Sequence, residues 1–215
     1  MEVRFSNEEF AQVKDMLLLY GWAHEILITK LKVLRESLEN FTDTTPIEHM
    51  KYRLKTPLNI AQKLHRMGHD ITAHNARTKL KDIAGIRIIC PFSKDIYDLV
   101  DLLRQMPDTR VELEKDYVTT PKATGYRSYH VIMEVPVYYL GKIEKVPVEV
   151  QLRTSSMDFW ATLEHKARYS YKNHIPKELT DGLVACADDI AQLDARMFTL
   201  HNVLTLYQGG KLTMK

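Results

Sequence analysis

The 215-residue chain is 45% hydrophobic and 27% charged, the proportions of one large globular domain, which exclude wholesale disorder and a collagen-like repeat. Thirty basic residues against 28 acidic ones leave a net charge of +2, so composition does not call for nucleic acid and any positive site must come from clustering. No run approaches the ~18–20 apolar residues of a membrane span, no secretory leader is read in the first nine residues, and two distant cysteines, Cys90 and Cys186, exclude a disulfide scaffold and favour a reducing cytoplasm.

Ser6 and Glu9 have capping-box spacing and start a first helix. Phe10, Val13, Leu17, Tyr20, His24, Leu27, Leu31, Leu34 and Leu38 follow at alternating steps of three and four, a sustained heptad stripe in which Gly21 is the one weak point. Asn40 to Pro46 reads as a polar linker. Thr45-Pro46-Ile47-Glu48 then combines a cap, a first-turn proline and an acidic third position, which predicts a second helix. Thr56-Pro57 repeats the start signal, and Gly68 fits a helix end. Ile86 to Cys90 is a short β-branched run. Ser93 to Met106 has the spacing of an amphipathic helix, and Val111 to Val118 that of a strand. Tyr126 to Tyr139 and Val146 to Arg153 are the strongest strand signals, and Trp160 to Tyr171 returns to helix. A second heptad stripe runs from Leu179 through Leu183, Cys186, Ile190, Leu193, Met197, Leu200 and Leu204 to Tyr207, before Gly209-Gly210 and a basic tail. Long helices flanking a central mixed sheet make an α+β protein. The stripes either pack on the sheet and on each other or form subunit interfaces, because two four-heptad seams exceed what a small sheet needs to cover it.

On a strand, Glu149, Gln151 and Arg153 share one face and Val148, Val150 and Leu152 the other. The polar set is a solvated face or a site. Tyr126, Ser128 and His130 likewise share a face, just after Lys122-Ala123-Thr124-Gly125. A ring beside basic side chains suits stacking on a base while charge meets phosphate; the alternative is a loop whose tyrosine packs sideways. Arg53, Lys55 and Lys63 cluster around Pro57, and Arg77, Lys79 and Lys81 precede Asp82. Such a cluster is a solvated face or a polyphosphate pocket. Neither GxxxxGK[ST] nor GxGxxG occurs, which excludes a P-loop and a Rossmann site. Asp82 at a strand mouth and Glu149 on another strand could share a magnesium ion with substrate phosphates. His65 and His69 have i, i+4 spacing, but Arg66 replaces the glutamate of HExxH and Gly68 breaks the helix, so zinc is not expected. His69-Asp70 reads as a surface turn.

Four segments, Asp82-Ile83-Ala84-Gly85-Ile86-Arg87, Gly125-Tyr126-Arg127-Ser128-Tyr129-His130, Glu149-Val150-Gln151-Leu152-Arg153-Thr154 and Phe159-Trp160-Ala161-Thr162-Leu163-Glu164-His165, resemble in order and spacing the RelA/SpoT-type (p)ppGpp synthetases. Arg53-Leu54-Lys55 before Pro57 resembles the ATP motif of that family. The resemblance runs from Pro46 onward and implies a stand-alone small alarmone synthetase of bacteria, with no hydrolase, TGS or ACT domain. Thr119 to Lys122 and Pro46 to His49 place it nearer the RelP-like than the RelQ-like subgroup.

The implied fold is a mixed sheet of about five strands flanked by helices, related to nucleotidyltransferases. Residues 1–45 would be an N-terminal helix and linker, 46–172 the catalytic core and 173–215 a C-terminal helix. The terminal segments would mediate homo-oligomers, tetramers being common in the family. The implied reaction moves the β,γ-pyrophosphoryl group of ATP to the 3′-hydroxyl of GDP or GTP and releases AMP, in a stress response. By the same resemblance Asp82 and Glu149 would hold magnesium, and Glu149 would also accept the hydroxyl proton. Arg53 and Arg87 would sandwich adenine, and Lys55 and Lys63 would contact ATP phosphates. Tyr126 would stack on guanine, His130 and Gln151 would line the guanosine side, and Lys122 and Arg127 would meet its 5′-phosphates. Asn59 stands where the family's ATP motif has serine; asparagine can still donate to a phosphate, so altered affinity is expected, with activity retained. Membrane partners are not expected, and nucleic acid is not the primary partner. The rivals are a non-catalytic nucleotide or RNA sensor, which would release no AMP, and a nucleotidyltransferase with another acceptor.

Overall fold

The structure is a computed structural model that describes residues 3–41, 46–171 and 176–212. Most of the expected linker, with its Thr45 cap, and the last three residues of the basic tail lie outside the described residues. The elements run α1 (Asn7–Phe41), β1 (His49–Leu54), α2 (Pro57–Arg66), α3 (Ala73–Lys79), β2 (Ala84–Cys90), α4 (Ser93–Arg104), β3 (Arg110–Asp116), β4 (Tyr129–Tyr139), β5 (Lys142–Thr154), α5 (Ser155–Ser170) and α6 (Lys177–Leu212). The five strands form one mixed sheet in the order β1-β2-β5-β4-β3, with β2 and β5 parallel and the other neighbours antiparallel. No helix among the described residues is long and apolar enough to cross a membrane.

Local signals explain most boundaries. The Ser6 hydroxyl accepts from the Glu9 amide at the start of α1, and Thr56 caps α2 by accepting from the Asn59 amide. Gly68, at φ 74°, ends α2 in the left-handed conformation that glycine adopts without strain. The helix predicted from Pro46 is absent: residues 49–54 are β1 instead. The capping pattern there is genuine, but pairing with the edge of β2 replaces the local preference. The helix α3 carries no strong periodicity and was not expected. The first turn of α5 begins at Ser155, five residues before the predicted start, and β4 begins at Tyr129 and not at Tyr126. The last helix continues through Gly209-Gly210.

The sheet has two unlike faces. Val148, Val150 and Leu152 point into the core with Ile86, Ile88, Val131 and Met133. The heptad stripe of α1 packs on this face: Val13, Tyr20, His24, Leu27 and Leu31 are buried. A buried Leu or Ile contributes about 1.5–3 kcal/mol. That anchors α1 far more firmly than helix propensity would, and Gly21 lies within an unbroken helix. His24 Nε2 donates to the Gly85 carbonyl at 3.2 Å, which satisfies the buried imidazole and ties α1 to β2. The second stripe behaves differently. The start of α6 lies on α5, where Trp160 and Ala187 are buried and Trp160 Nε1 donates to the Leu183 carbonyl at 2.7 Å. Farther along, Leu193, Met197, Leu200, Leu204 and Tyr207 are exposed.

Candidate active site

The opposite face of the sheet carries the chemistry, and strand register explains why. Cα-paired residues share a face, and every second row faces the same way. One row across all five strands reads Lys51, Arg87, Gln151, His130, Lys115. The next row on that face reads Arg53, Gly85, Glu149, Ile132, Leu113. Residues spread over a hundred positions of sequence thus stand within two strands of Glu149 and Gln151 on the central β5. Gly85 leaves the second row open in the middle. A methyl there would lie 3.5 Å from the Arg53 side chain, in the gap between that guanidinium and Glu149.

Two cavities open on this floor. A smaller one, about 160 Å³, lies over β1 and β2 between Lys51, Arg53, Gly85 and Arg87. A larger one, about 400 Å³, lies over β4 and β3 and is ringed by Lys63, Lys79, Lys81, Lys115 and Lys122 with Asp82 and Tyr117. Arg53, Glu149 and Gln151 line both. Glu149 therefore stands at the seam of two basic pockets.

Glu149 is held on both oxygens. His130 Nδ1 donates to Oε1 at 3.0 Å, and Gln151 Nε2 donates to Oε2 at 2.8 Å. The other imidazole nitrogen, Nε2, meets the Tyr126 hydroxyl at 2.8 Å. With the proton on Nδ1, that hydroxyl donates to His130 and accepts from Arg153 Nη2 at 2.6 Å. Burial alone would raise the Glu149 carboxyl, but the His130 and Gln151 bonds outweigh it and hold the group below its ordinary value. It is an ionised, oriented carboxylate at neutral pH.

Arg153 and Asp158 organise the floor, and neither was among the predicted site residues. Arg153 is 4% exposed. It donates to Tyr126, to Gln151 Oε1 at 3.0 Å, to Ser128 at 3.3 Å and to Asp158 at 3.2 Å. Asp158, on the first turn of α5, also receives Arg87 and Lys51, each at 2.9 Å. Three cations on one carboxylate hold it ionised despite burial. The alternation of β5 put Arg153 on the polar face; nothing local marked Asp158, since docking of α5 brings it in. Asp158→Ala strands the buried Arg153 and is expected to cost about 3 kcal/mol of stability, read by urea unfolding. A loss below about 1 kcal/mol would mean the cluster does not hold α5 on the sheet.

Asp82 is the second carboxylate. Lys55 and Lys63 both donate to Oδ2 at 2.6 Å, and Lys55 also donates to the Asp82 carbonyl at 2.7 Å. Its Oδ1 is buried without a hydrogen-bond partner. A hard divalent cation takes one or two carboxylates and leaves its other positions to water and phosphate. The free Oδ1 and Glu149 on the same cavity fit such an ion. No group of three or more metal-binding side chains gathers among the described residues, so substrate oxygens would complete the shell.

The predicted residues thus fall into three groups. Glu149, Asp82, Arg53, Lys63, Arg87, Lys122, His130 and Gln151 line one cavity or both. Lys55 stands behind Asp82, and Tyr126 behind the wall, where Lys122 and Arg153 lie 4.8 and 5.0 Å from its ring centre. Tyr117, which no motif marks in the sequence, is the ring on the cavity itself. Asn59 is exposed on the first turn of α2, outside both linings. Arg127 is not brought to the others. It lies between Tyr126 and Ser128, whose side chains turn inward to Arg153, and it turns outward to Asp188 on α6 at 3.1 Å.

Comparison with known proteins supplies an independent line. The family model described as "Region found in RelA / SpoT proteins" matches residues 52–174. The chain is 44% identical over 184 residues to the GTP pyrophosphokinase YwaC of Bacillus subtilis, covering 86% of this chain and 88% of that protein. It is 36% identical over 186 residues to the GTP pyrophosphokinase YjbM of the same organism, covering 86% and 87%. Among solved structures, Bacillus subtilis small alarmone synthetase 1 bound to its product pppGpp superposes with a TM-score of 0.81 at 35% identity, covering 88% of this chain and 96% of that one.

Proposed function

The chain belongs to the RelA/SpoT family and is a GTP pyrophosphokinase that makes (p)ppGpp, and we propose that Glu149 is its general base. The observation that carries the assignment of roles is the place of Glu149: an ionised carboxylate at the seam of two basic cavities, held on both oxygens. ATP enters over β1 and β2, where Arg53 and Arg87 offer planar guanidinium faces to adenine. Its phosphates extend past Arg53 toward Lys63, with Lys55 fixing Asp82 behind them. The guanosine diphosphate or triphosphate occupies the larger cavity, with its 5′-phosphates toward Lys122 and the neighbouring lysines.

The acceptor's 3′-oxygen attacks the β-phosphorus of ATP as Glu149 takes the hydroxyl proton. The bond from that phosphorus to the bridging oxygen of the α-phosphate breaks, and AMP leaves with that oxygen. Gln151 and His130 fix the direction of the accepting lone pair, and the lysines stabilise the charge on the transferred group. Much of the rate comes from holding both nucleotides in line across the seam. Magnesium, held by Asp82 and Glu149 when bound, would neutralise phosphate charge. The direct test is labelled ATP with magnesium and GDP or GTP. Label in a guanosine 3′-diphosphate with equimolar AMP is expected; binding of both nucleotides without AMP would leave a sensor.

The rings divide the acceptor site. Tyr126 is proposed to stack on guanine once the base enters and displaces Lys122 from its ring; until then Tyr117 borders the cavity. Tyr126→Ala is expected to raise the acceptor KM about tenfold, with the KM for ATP nearly unchanged, in line with a base-stacking contribution of about 1–3 kcal/mol. An unchanged acceptor KM would remove Tyr126 from that role and leave Tyr117 as the stacking ring.

The exposed stripe of α6 is proposed as a subunit interface, supported by its unbroken row of large apolar side chains. Light scattering at micromolar concentration is expected to give a homo-oligomer, and Leu200→Glu with Leu204→Glu a smaller species of unaltered fold. A wild-type monomer would end this assignment.

A further inference from the structure

We propose that Arg127 is a positioning residue, which with Asp188 straps the acceptor loop to α6, and that it does not itself bind acceptor phosphate. The inference rests on the synthetase reading above. The loop leaves β3 at Asp116 and returns to β4 at Tyr129, and it carries Tyr117 and Lys122 to the larger cavity. It is folded on itself. The Tyr117 amide donates to the Ser128 carbonyl at 3.0 Å across its neck, and Gly125 and Lys122 close a turn at 2.8 Å. A unit tied so well within itself moves as a body, so its outer attachments set where its tip stands.

Those attachments lie on two sides. Inward, Ser128 and Tyr126 bond Arg153 on the site floor. Outward, the loop rests on α6. Arg127 Nη1 donates to the Val118 carbonyl at 2.9 Å, which joins the two ends of the loop, and Nη2 donates to Asp188 Oδ1 at 3.1 Å. Beside this pair Gly125, at φ 87°, lies so close to α6 that a methyl on it would fall 2.8 Å from the Ala187 methyl. The bond from Trp160 to the Leu183 carbonyl fixes that stretch of α6 on α5. Arg127 lines neither cavity, although both of its neighbours in sequence face Arg153. The guanidinium therefore acts at a distance from the nucleotide, through the orientation of Lys122 and Tyr117.

The test compares Asp188→Asn, Arg127→Ala and the double variant in steady-state kinetics with GMP, GDP and GTP, and follows amide hydrogen exchange of residues 117–128 in the free enzyme. Asp188 is exposed and lines neither cavity, so Asp188→Asn is expected to fold normally. It should raise the acceptor KM about two- to threefold, in keeping with a partly exposed ion pair. Arg127→Ala should raise it about tenfold by the same factor for all three acceptors, with the KM for ATP unchanged. The double variant should match Arg127→Ala alone, because both changes cut one strap. Loop amides should exchange faster in every variant. An Arg127→Ala loss that grows from GMP to GTP would show a phosphate contact and overturn the proposal. So would an Asp188→Asn enzyme with wild-type acceptor KM and wild-type exchange. If the wild type itself transfers nothing to a guanine nucleotide, the functional reading fails, and exchange of the loop amides still decides the strap.

Discussion

Glu149→Gln is expected to lower kcat by about a thousandfold while ATP and GDP bind within a few-fold of wild type. General-base catalysis contributes about 10²–10⁴ in rate, and an amide cannot take the 3′-hydroxyl proton. The substitution keeps the shape of the side chain. His130 can still donate to the amide oxygen, but the amide nitrogen faces Gln151 Nε2, two donors meeting, so Gln151 must turn or swing away. Stability should change little, since the network around Arg153 stays in place through Tyr126, Ser128 and Asp158. The decisive readings are single-turnover AMP release and calorimetric titration of each nucleotide. Turnover near that of the wild type would remove Glu149 from the base role and leave it a binding residue.

Asp82→Asn is the second large effect, and it touches both stability and rate. Lys55 is 9% exposed and has Asp82 as its counter-ion. Removing one partner of a buried pair costs about 3–5 kcal/mol, and the asparagine oxygen can keep only part of the two lysine bonds. A loss of about 3 kcal/mol is expected in urea. Burial alone would push the Asp82 carboxyl up, but hydrogen bonds from Lys55 and Lys63 prevail and hold it below its ordinary value of 3.8. A carboxylate lowered on folding contributes stability that is complete above its unfolded pKa and is lost as pH falls through the folded one. The wild type should therefore lose stability more steeply than Asp82→Asn below about pH 4, and the two curves should converge in acid. Activity should fall about a hundredfold or more, because the substitution removes a charge on which the proposed magnesium binding would depend. Equal stability at neutral pH with parallel acid limbs would show that the lysines do not depend on Asp82.

Rate and stability thus meet in the same few side chains. Glu149, Asp82 and Asp158 are buried or half-buried carboxylates, each held ionised by cations or hydrogen bonds that outweigh the cost of burial. Side chains of the chain itself orient these carboxylates, while like charges gather around the larger cavity. Lys79, Lys81, Lys115 and Lys122 share that rim, and among the described residues they form one ion pair, Lys81 to Glu112. An anion of several charges relieves their mutual repulsion, as a guanosine polyphosphate would.

The amino-acid sequence by itself determined the elements whose signals are local. Alternation along β5 separated Glu149, Gln151 and Arg153 from the buried valines, because side-chain direction in a strand repeats every two residues whatever surrounds it. The stripe of α1, the Thr56 cap and the Gly68 stop were legible for the same reason, and ordered motifs carried the family. The tertiary structure alone decided what depends on pairing across the chain. It made residues 49–54 an edge strand against a genuine capping signal, because hydrogen bonds to β2 outweigh a cap worth about 1 kcal/mol. It set Arg87 beside Gln151 and His130 in one row, brought Asp158 under Arg153 by docking α5, and turned Arg127 outward to α6. A motif states which side chains are present. Which of them face the substrate is fixed by strand register and by the helices that close over the sheet, and neither is written in any one segment.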